Sequence, residues 1–185
     1  MFSNNTGYYL KTNDSYILSV LNSKLINYYY KKISAQLGET GIRSFTIYIE
    51  NIPIPKVNDE AKNPFIEKAN QMLSLNKELQ EIATKFQRTL QRKFFSEEAN
   101  ATSHLPKKLE NWYELSFAEF VKELAKKKVK LSLSEEAEWE DYFLQEQQKA
   151  VAIKNDIVAT DKAIDKMVYE LYGLSEEEIS IVENS

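Results

Sequence analysis

The sequence predicts an α+β chain that is mostly α: a small partial α/β lobe followed by a long antiparallel helical hairpin. Three observations carry this expectation. Only 4 Gly and 4 Pro occur in 185 residues, too few turn formers for a strand-rich fold. Two apolar seams advance by alternating steps of four and three residues, each for more than three heptads, the pattern of long paired helices. A single segment, residues 43–49, alternates apolar and polar side chains and reads as a half-buried strand. The expected division is 1–58 for the lobe and 59–185 for the hairpin, with a helical insert at about 105–130.

The first helix is expected from Asn13 and Asp14, both good N-caps, to about Ile33. Ile17, Leu18, Leu21, Leu25, Tyr28 and Tyr29 form its apolar stripe. Gly38 and Gly41 then break the chain into a short loop. In the strand that follows, Phe45, Ile47 and Ile49 share one face and Ser44, Thr46 and Tyr48 the other. Ile52-Pro53-Ile54-Pro55 must leave it extended, because proline lacks the ladder donor and restricts its predecessor. One helix and one strand do not complete a sheet, so the lobe is expected to continue upstream of Met1.

The next helix is expected over 64–94, with Asn63 as cap and Pro64 in the first helical position. Its seam runs Phe65, Ala69, Met72, Asn76, Leu79, Ala83, Phe86, Leu90. The second seam runs Trp139, Phe143, Glu146, Ala150, Ile153, Ile157, Thr160, Ile164, Met167, Leu171. Ser134 before Glu135 and Glu136 gives that helix a capped, acidic start, and Gly173 stops it. Between the two, Ser116 and Glu119 form a capping box ahead of Phe117, Phe120, Val121 and Leu124. Trp112 and Tyr113 are expected to pack this insert against the end of the pair, and Lys126, Lys127, Lys128 and Lys130 to close it in a solvated turn. Asn76, Glu146 and Thr160 occupy seam positions that otherwise favour Leu or Ile. A buried Asn there would fix register at some cost in stability.

Composition excludes several classes. At 43% hydrophobic and 28% charged residues, the chain can build a core and is not intrinsically disordered. No apolar run approaches the ~18 residues of a membrane span, and no leader pattern is present, so a cytoplasmic protein is expected. Without cysteine there are no disulfides, thiolate nucleophiles or thiolate metal sites, and the single His104 excludes multi-histidine cages. There is no glycine-rich phosphate loop and no nucleophile elbow. Glu60-Ala61-Lys62 is similar to the acidic–x–Lys end of a nuclease site but lacks its companions. Glu176, Glu177 and Glu178 read as a solvated turn. No catalytic residue, cofactor or metal is therefore assigned to this chain.

The net charge of −4 conceals an asymmetry. Residues 1–133 carry 20 basic and 14 acidic side chains, a balance of +6, while residues 134–185 carry 4 and 14, a balance of −10. The basic part can approach a phosphate backbone that the acidic part would repel.

The segment Leu21-Asn22-Ser23-Lys24-Leu25-Ile26-Asn27-Tyr28-Tyr29-Tyr30, the glycine loop, the strand, and Ile52-Pro53-Ile54-Pro55 leading into a long helix resemble the C-terminal half of a target-recognition domain. Such domains occur in TaqI-like and type IIG restriction–modification enzymes, and type I specificity subunits follow the same order. Type I subunits normally carry two recognition domains, and 185 residues hold at most one. The stretch from Ile164 to Ile179, with Tyr169-Glu170-Leu171-Tyr172-Gly173-Leu174 at its centre, also resembles the ends of fused methyltransferase–endonuclease proteins. The resemblance is most specific over about 16–56 and 160–183.

It implies a parent protein that methylates adenine in a particular DNA sequence, using S-adenosylmethionine held by an upstream domain, and that also cuts DNA with Mg2+ if it carries a nuclease. The family's Asn/Asp-Pro-Pro-aromatic motif is absent here, so this chain would supply specificity rather than methyl transfer. The expected partners are double-stranded DNA and the upstream methyltransferase and endonuclease domains, with no membrane. Lys24, Lys31, Lys32, Arg43 and Lys56 suit phosphate contacts, which set register. Thr40, Arg43 and Ser44, on or beside the glycine loop, suit base edges, Arg in particular matching guanine O6 and N7. The alternative is a helical scaffold whose basic lobe docks on an acidic protein without touching DNA.

Overall fold

The computed structural model describes residues 14–34, 36–37, 41–42, 46–95 and 105–185. Among them the chain is mostly helical and its longest elements are two helices, in line with the mostly-α expectation. The elements are α1 (Ser15–Leu21), α2 (Lys24–Ile33), β1 (Gln36–Leu37), β2 (Gly41–Ile42), α3 (Thr46–Glu50), α4 (Asp59–Phe94), α5 (Phe117–Lys126), α6 (Leu133–Tyr172) and α7 (Glu176–Glu183). The chain divides into two compact units, Met1–Met72 with Ala159–Ser185, and Leu73–Val158.

Four expectations at the N-terminal end need correction. The single helix to Ile33 is two helices, because Ser23 adopts an extended backbone and caps α2, its hydroxyl accepting from the Ile26 N–H. The apolar stripe continues across the break and so conceals it. Second, residues 46–49 of the expected strand are not extended, since Thr46–Glu50 is a helical turn, while residues 43–45 lie outside the described residues. Ile49 and, beyond the end of that turn, Ile52 both line a hollow against α2. Third, Gly41 is not in an open loop, since it pairs with Leu37 in a two-residue antiparallel ladder whose other pair is Gln36 and Ile42. Among the described residues a small α/β lobe is therefore not seen beyond that ladder. Fourth, α4 begins at Asp59 rather than Pro64. Asn58 caps it by accepting from the Ala61 N–H at 2.9 Å, and Pro64 lies inside the helix, one backbone bond short.

The first unit has a core of Tyr16, Val20, Ile26, Phe65, Ile164 and Val168. Tyr16 meets Phe65 edge to face at 5.3 Å. The proline segment is fixed by two phenols: Tyr16 donates to the Pro55 carbonyl at 2.8 Å and Tyr172 to the Pro53 carbonyl at 2.6 Å. Both carbonyls lie in irregular backbone and need a donor from elsewhere. Burial raises the Tyr172 hydroxyl to about 12.

The second unit packs α4, α5 and α6 around Phe86, which is fully buried together with Trp112, Phe120 and Phe143. Phe86 stacks between Trp112 at 3.7 Å and Tyr142 at 5.5 Å. Phe94 meets Trp139 while Phe86 meets Phe143, so α4 and α6 run antiparallel within this unit. Trp112 and Tyr113 pack the insert as expected, and Gln147 of α6 donates to the carbonyls of Tyr113 and Leu115.

Along the seams, Trp139, Phe143, Glu146, Ala150, Ile153, Thr160 and Ile164 are all buried. Glu146 is held by Lys149 at 2.6 Å. Asn76, in contrast, is exposed, so the burial on which its register role depended is absent.

The remaining helix ends follow local rules. The Ser116/Glu119 capping box is present. The start of α6 is capped two residues earlier than expected, by Ser132, whose N–H donates to Glu135 at 3.0 Å. Gly173 at φ 68° closes α6, with the Leu174 N–H on the Tyr169 carbonyl and the Gly173 N–H on that of Glu170. Glu176, Glu177 and Glu178 are the acidic first turn of α7, headed by a Ser175/Glu178 capping box, rather than an isolated turn. No helix among the described residues is long and apolar enough to cross a membrane.

Candidate nucleic-acid interface

The basic side chains singled out from the sequence fall into three groups. Lys24 and Lys31 are seven residues apart on α2, two helical turns along one stripe, with Asn27 between them. Lys32 lies on the neighbouring stripe, its ammonium 5.2 Å from the centre of the Tyr28 ring, which limits its freedom while leaving its charge in solvent. Lys56 is exposed on the extended segment before α4. Thr40, Arg43 and Ser44 lie outside the described residues, as does His104.

Lys24 differs from the others. Its ammonium reaches the Glu183 carboxylate of α7 at 2.5 Å, and this hydrogen bond raises its pKa. The same bond, aided by the Tyr169 phenol at 2.7 Å, holds the Glu183 carboxyl below the usual carboxylate range. The Lys24 backbone N–H donates to Oδ1 of Asp165 at 2.8 Å, so a side chain of α6 satisfies one of the orphan donors at the start of α2. Asp165 is buried, its Oδ2 has no partner among the described residues, and burial pushes its carboxyl up. Lys24 is thus both a surface cation and the anchor of α2 on α6 and α7. Lys31 and Lys32 have no carboxylate partner among the described residues and remain the accessible positive charges of α2.

Sequence reading missed two amides. Asn22 and Asn27 line an open hollow of about 350 Å3 with Leu21, Ile26, Tyr30, Ile49 and Ile52. The hollow gives α2 an apolar floor edged by hydrogen-bonding groups. The signal was present, since Asn27 shares the stripe of Lys24 and Lys31, but it emerges only once α2 is separated from α1. No group of three or more potential ligands able to hold a metal ion occurs among the described residues, and nothing in this arrangement forms a nucleophile–base pair. The arrangement offers cations and amides to a polyanion.

Comparison with known families defines the class of this end of the chain: residues 2–54 match the TaqI-like C-terminal specificity domain. The match agrees with the resemblance read from residues 16–56. Residues 58–168 match a second family model, the Domain of unknown function (DUF8810). That match covers more than half of the chain, and the protein belongs to this family. No curated protein and no solved structure matches the chain.

Proposed function

We propose that this chain is the DNA sequence-recognition module of a restriction–modification enzyme and positions an N6-adenine methyltransferase on its target. The observation that carries the reading is the specificity-domain match over residues 2–54. Support comes from Lys31 and Lys32 of α2, which have no carboxylate partner among the described residues, and from the order of elements, a proline-containing exit followed by long helices. On this reading residues 1–58 recognise DNA, and residues 59–185 form a coiled-coil-like spacer that orients the recognition lobe. The first family match ends within the proline segment, at residue 54, and the second begins just after it, at residue 58, which supports that division.

Lys31, Lys32 and Lys56 set register through phosphates, and Lys24 joins them when Glu183 releases it. Thr40, Arg43 and Ser44 read base edges. S-adenosylmethionine, and Mg2+ where cleavage accompanies methylation, act in the methyltransferase and endonuclease domains of the same cytoplasmic enzyme.

Selection of the full chain on a random duplex library tests this directly. A consensus sequence should emerge, and Arg43→Ala should relax one position of it. Lys31→Gln with Lys32→Gln should reduce the slope of log affinity against log salt by about 2, near 0.9 for each phosphate lost. Absence of both a consensus and salt-dependent binding would remove the reading and leave the scaffold alternative.

A further inference from the structure

We propose that the outward face of α4 between Gln80 and Arg92 is a second DNA-contact surface, one that grips the phosphate backbone without reading sequence. The inference rests on the DNA reading above and extends it into the helical region that the specificity-domain match does not cover.

Three cations define the face. Lys85, Arg88 and Arg92 are exposed, and none has a carboxylate within ion-pair distance among the described residues. Their spacing of three and four places them on one stripe. At ~1.5 Å per residue the stripe extends about 10 Å, the length of about three phosphates on one strand at 3.4 Å each. The opposite side of the same helix is committed to the core through Phe86 and Leu90. The cations are therefore presented outward by a buried anchor rather than by a free helix.

The surroundings fit phosphate better than protein. The cations line an open groove of about 800 Å3, and every described residue of its lining is polar or charged. A protein interface of useful affinity needs an apolar centre with aromatic anchors, and no aromatic or aliphatic residue is among the described residues of this lining. Gln80 and Thr84 add neutral donors of the kind that bind phosphate oxygens, while the Thr89 hydroxyl is turned back onto the Lys85 carbonyl at 3.1 Å. Guanidiniums at two of the three positions suit bidentate phosphate contact. The one acidic side chain among the described lining residues, Glu81, is partnered by Lys77 at 4.0 Å. This internal pair offsets its repulsion of a polyanion.

The test uses the full chain with Lys85→Gln, Arg88→Gln and Arg92→Gln combined. Glutamine keeps helix propensity close to that of lysine and arginine, so the thermal melt should match wild type. Binding is read by fluorescence anisotropy on the selected duplex and on a scrambled duplex, over a salt series. The salt slope should fall by about 2 to 3, and both duplexes should lose affinity by the same factor, leaving sequence preference unchanged. A variant slope equal to wild type would overturn the inference while the specificity reading stands. Loss of preference for the selected duplex would overturn it differently, by making the face a base reader. Binding of labelled polyglutamate to wild type but not to the variant, with DNA binding the same in both, would overturn the inference and assign the face to an acidic protein. A wild-type chain that binds neither duplex at any salt would sink both readings together.

Discussion

Glu183 holds the Lys24 ammonium at 2.5 Å across 159 residues of chain. The pair joins an acidic C-terminal helix to the helix bearing the accessible lysines, so the acidic part of the sequence does more than repel a polyanion. It occupies one of the cations proposed to meet DNA. The two side chains are 44% and 39% exposed, which places the pair in the screened, exchangeable class.

Glu183→Gln should therefore trade a little stability for binding. The loss, discounted for solvent screening, should be about 0.2–1 kcal/mol by urea denaturation at neutral pH. On the DNA reading, the freed Lys24 should steepen the salt slope by up to about 0.9. Because the Glu183 pKa is lowered in the fold, its contribution is complete above the ordinary value of 4.5 and is lost as pH falls through the folded value. A variant with unchanged salt slope would show that Lys24 has only an anchoring role.

Asp165 has the opposite sign. Burial raises its folded pKa above the ordinary 3.8, so its ionised form opposes folding at neutral pH and stability improves as pH falls through the folded value. Asp165→Asn keeps the acceptor for the Lys24 N–H while removing the charge. Its melting temperature should exceed that of wild type at pH 7, with the difference shrinking as pH approaches 4. A variant that melts below wild type at every pH would mean that the carboxylate is compensated in the fold.

Lys128 offers a third test. It sits at φ 63° in the position that glycine usually fills at the end of a helix. Its N–H bonds the Ala125 carbonyl, and that of Val129 bonds the Leu124 carbonyl, both at the end of α5. A side chain in this left-handed conformation is disfavoured. Lys128→Gly should stabilise the chain by about 0.5–1 kcal/mol in urea, while Lys128→Ala should not. Equal effects of the two would point to charge rather than backbone geometry.

Much of the fold was legible because it is local. The buried stripe from Trp139 to Ile164, the Ser116/Glu119 box and the glycine stop at Gly173 each depend on residues within a few turns of one another. Ser132 was legible and overlooked: its Glu135 stands three residues on, as the box requires, whereas Ser134 has only proximity to recommend it. Ser23 was hidden by a stripe that continues through it. Residues 46–50 were misread because apolar alternation over so short a run does not separate a strand from a helical turn. Of the site, the lysines of α2 were legible as a charge cluster. The difference between Lys24 and Lys31 was not, because Asp165 and Glu183 lie more than a hundred residues away and no pattern within a window connects them.

The division into units has a consequence for biosynthesis. The first unit is discontinuous: residues 159–185 complete a core begun by residues 14–72, and the whole second unit is spelled out between them. The ribosome therefore delivers residues 14–72 before residues 73–158 but withholds Ile164 and Val168, which close their core, until the intervening helices have been made. The later-encoded unit can mature earlier, and the lobe that would bind DNA is the last to become competent. Pulse proteolysis of a chain stopped after Val158 should find residues 73–158 protected and residues 14–72 cut, whereas equal protection of both would show that the lobe folds without its closing helix.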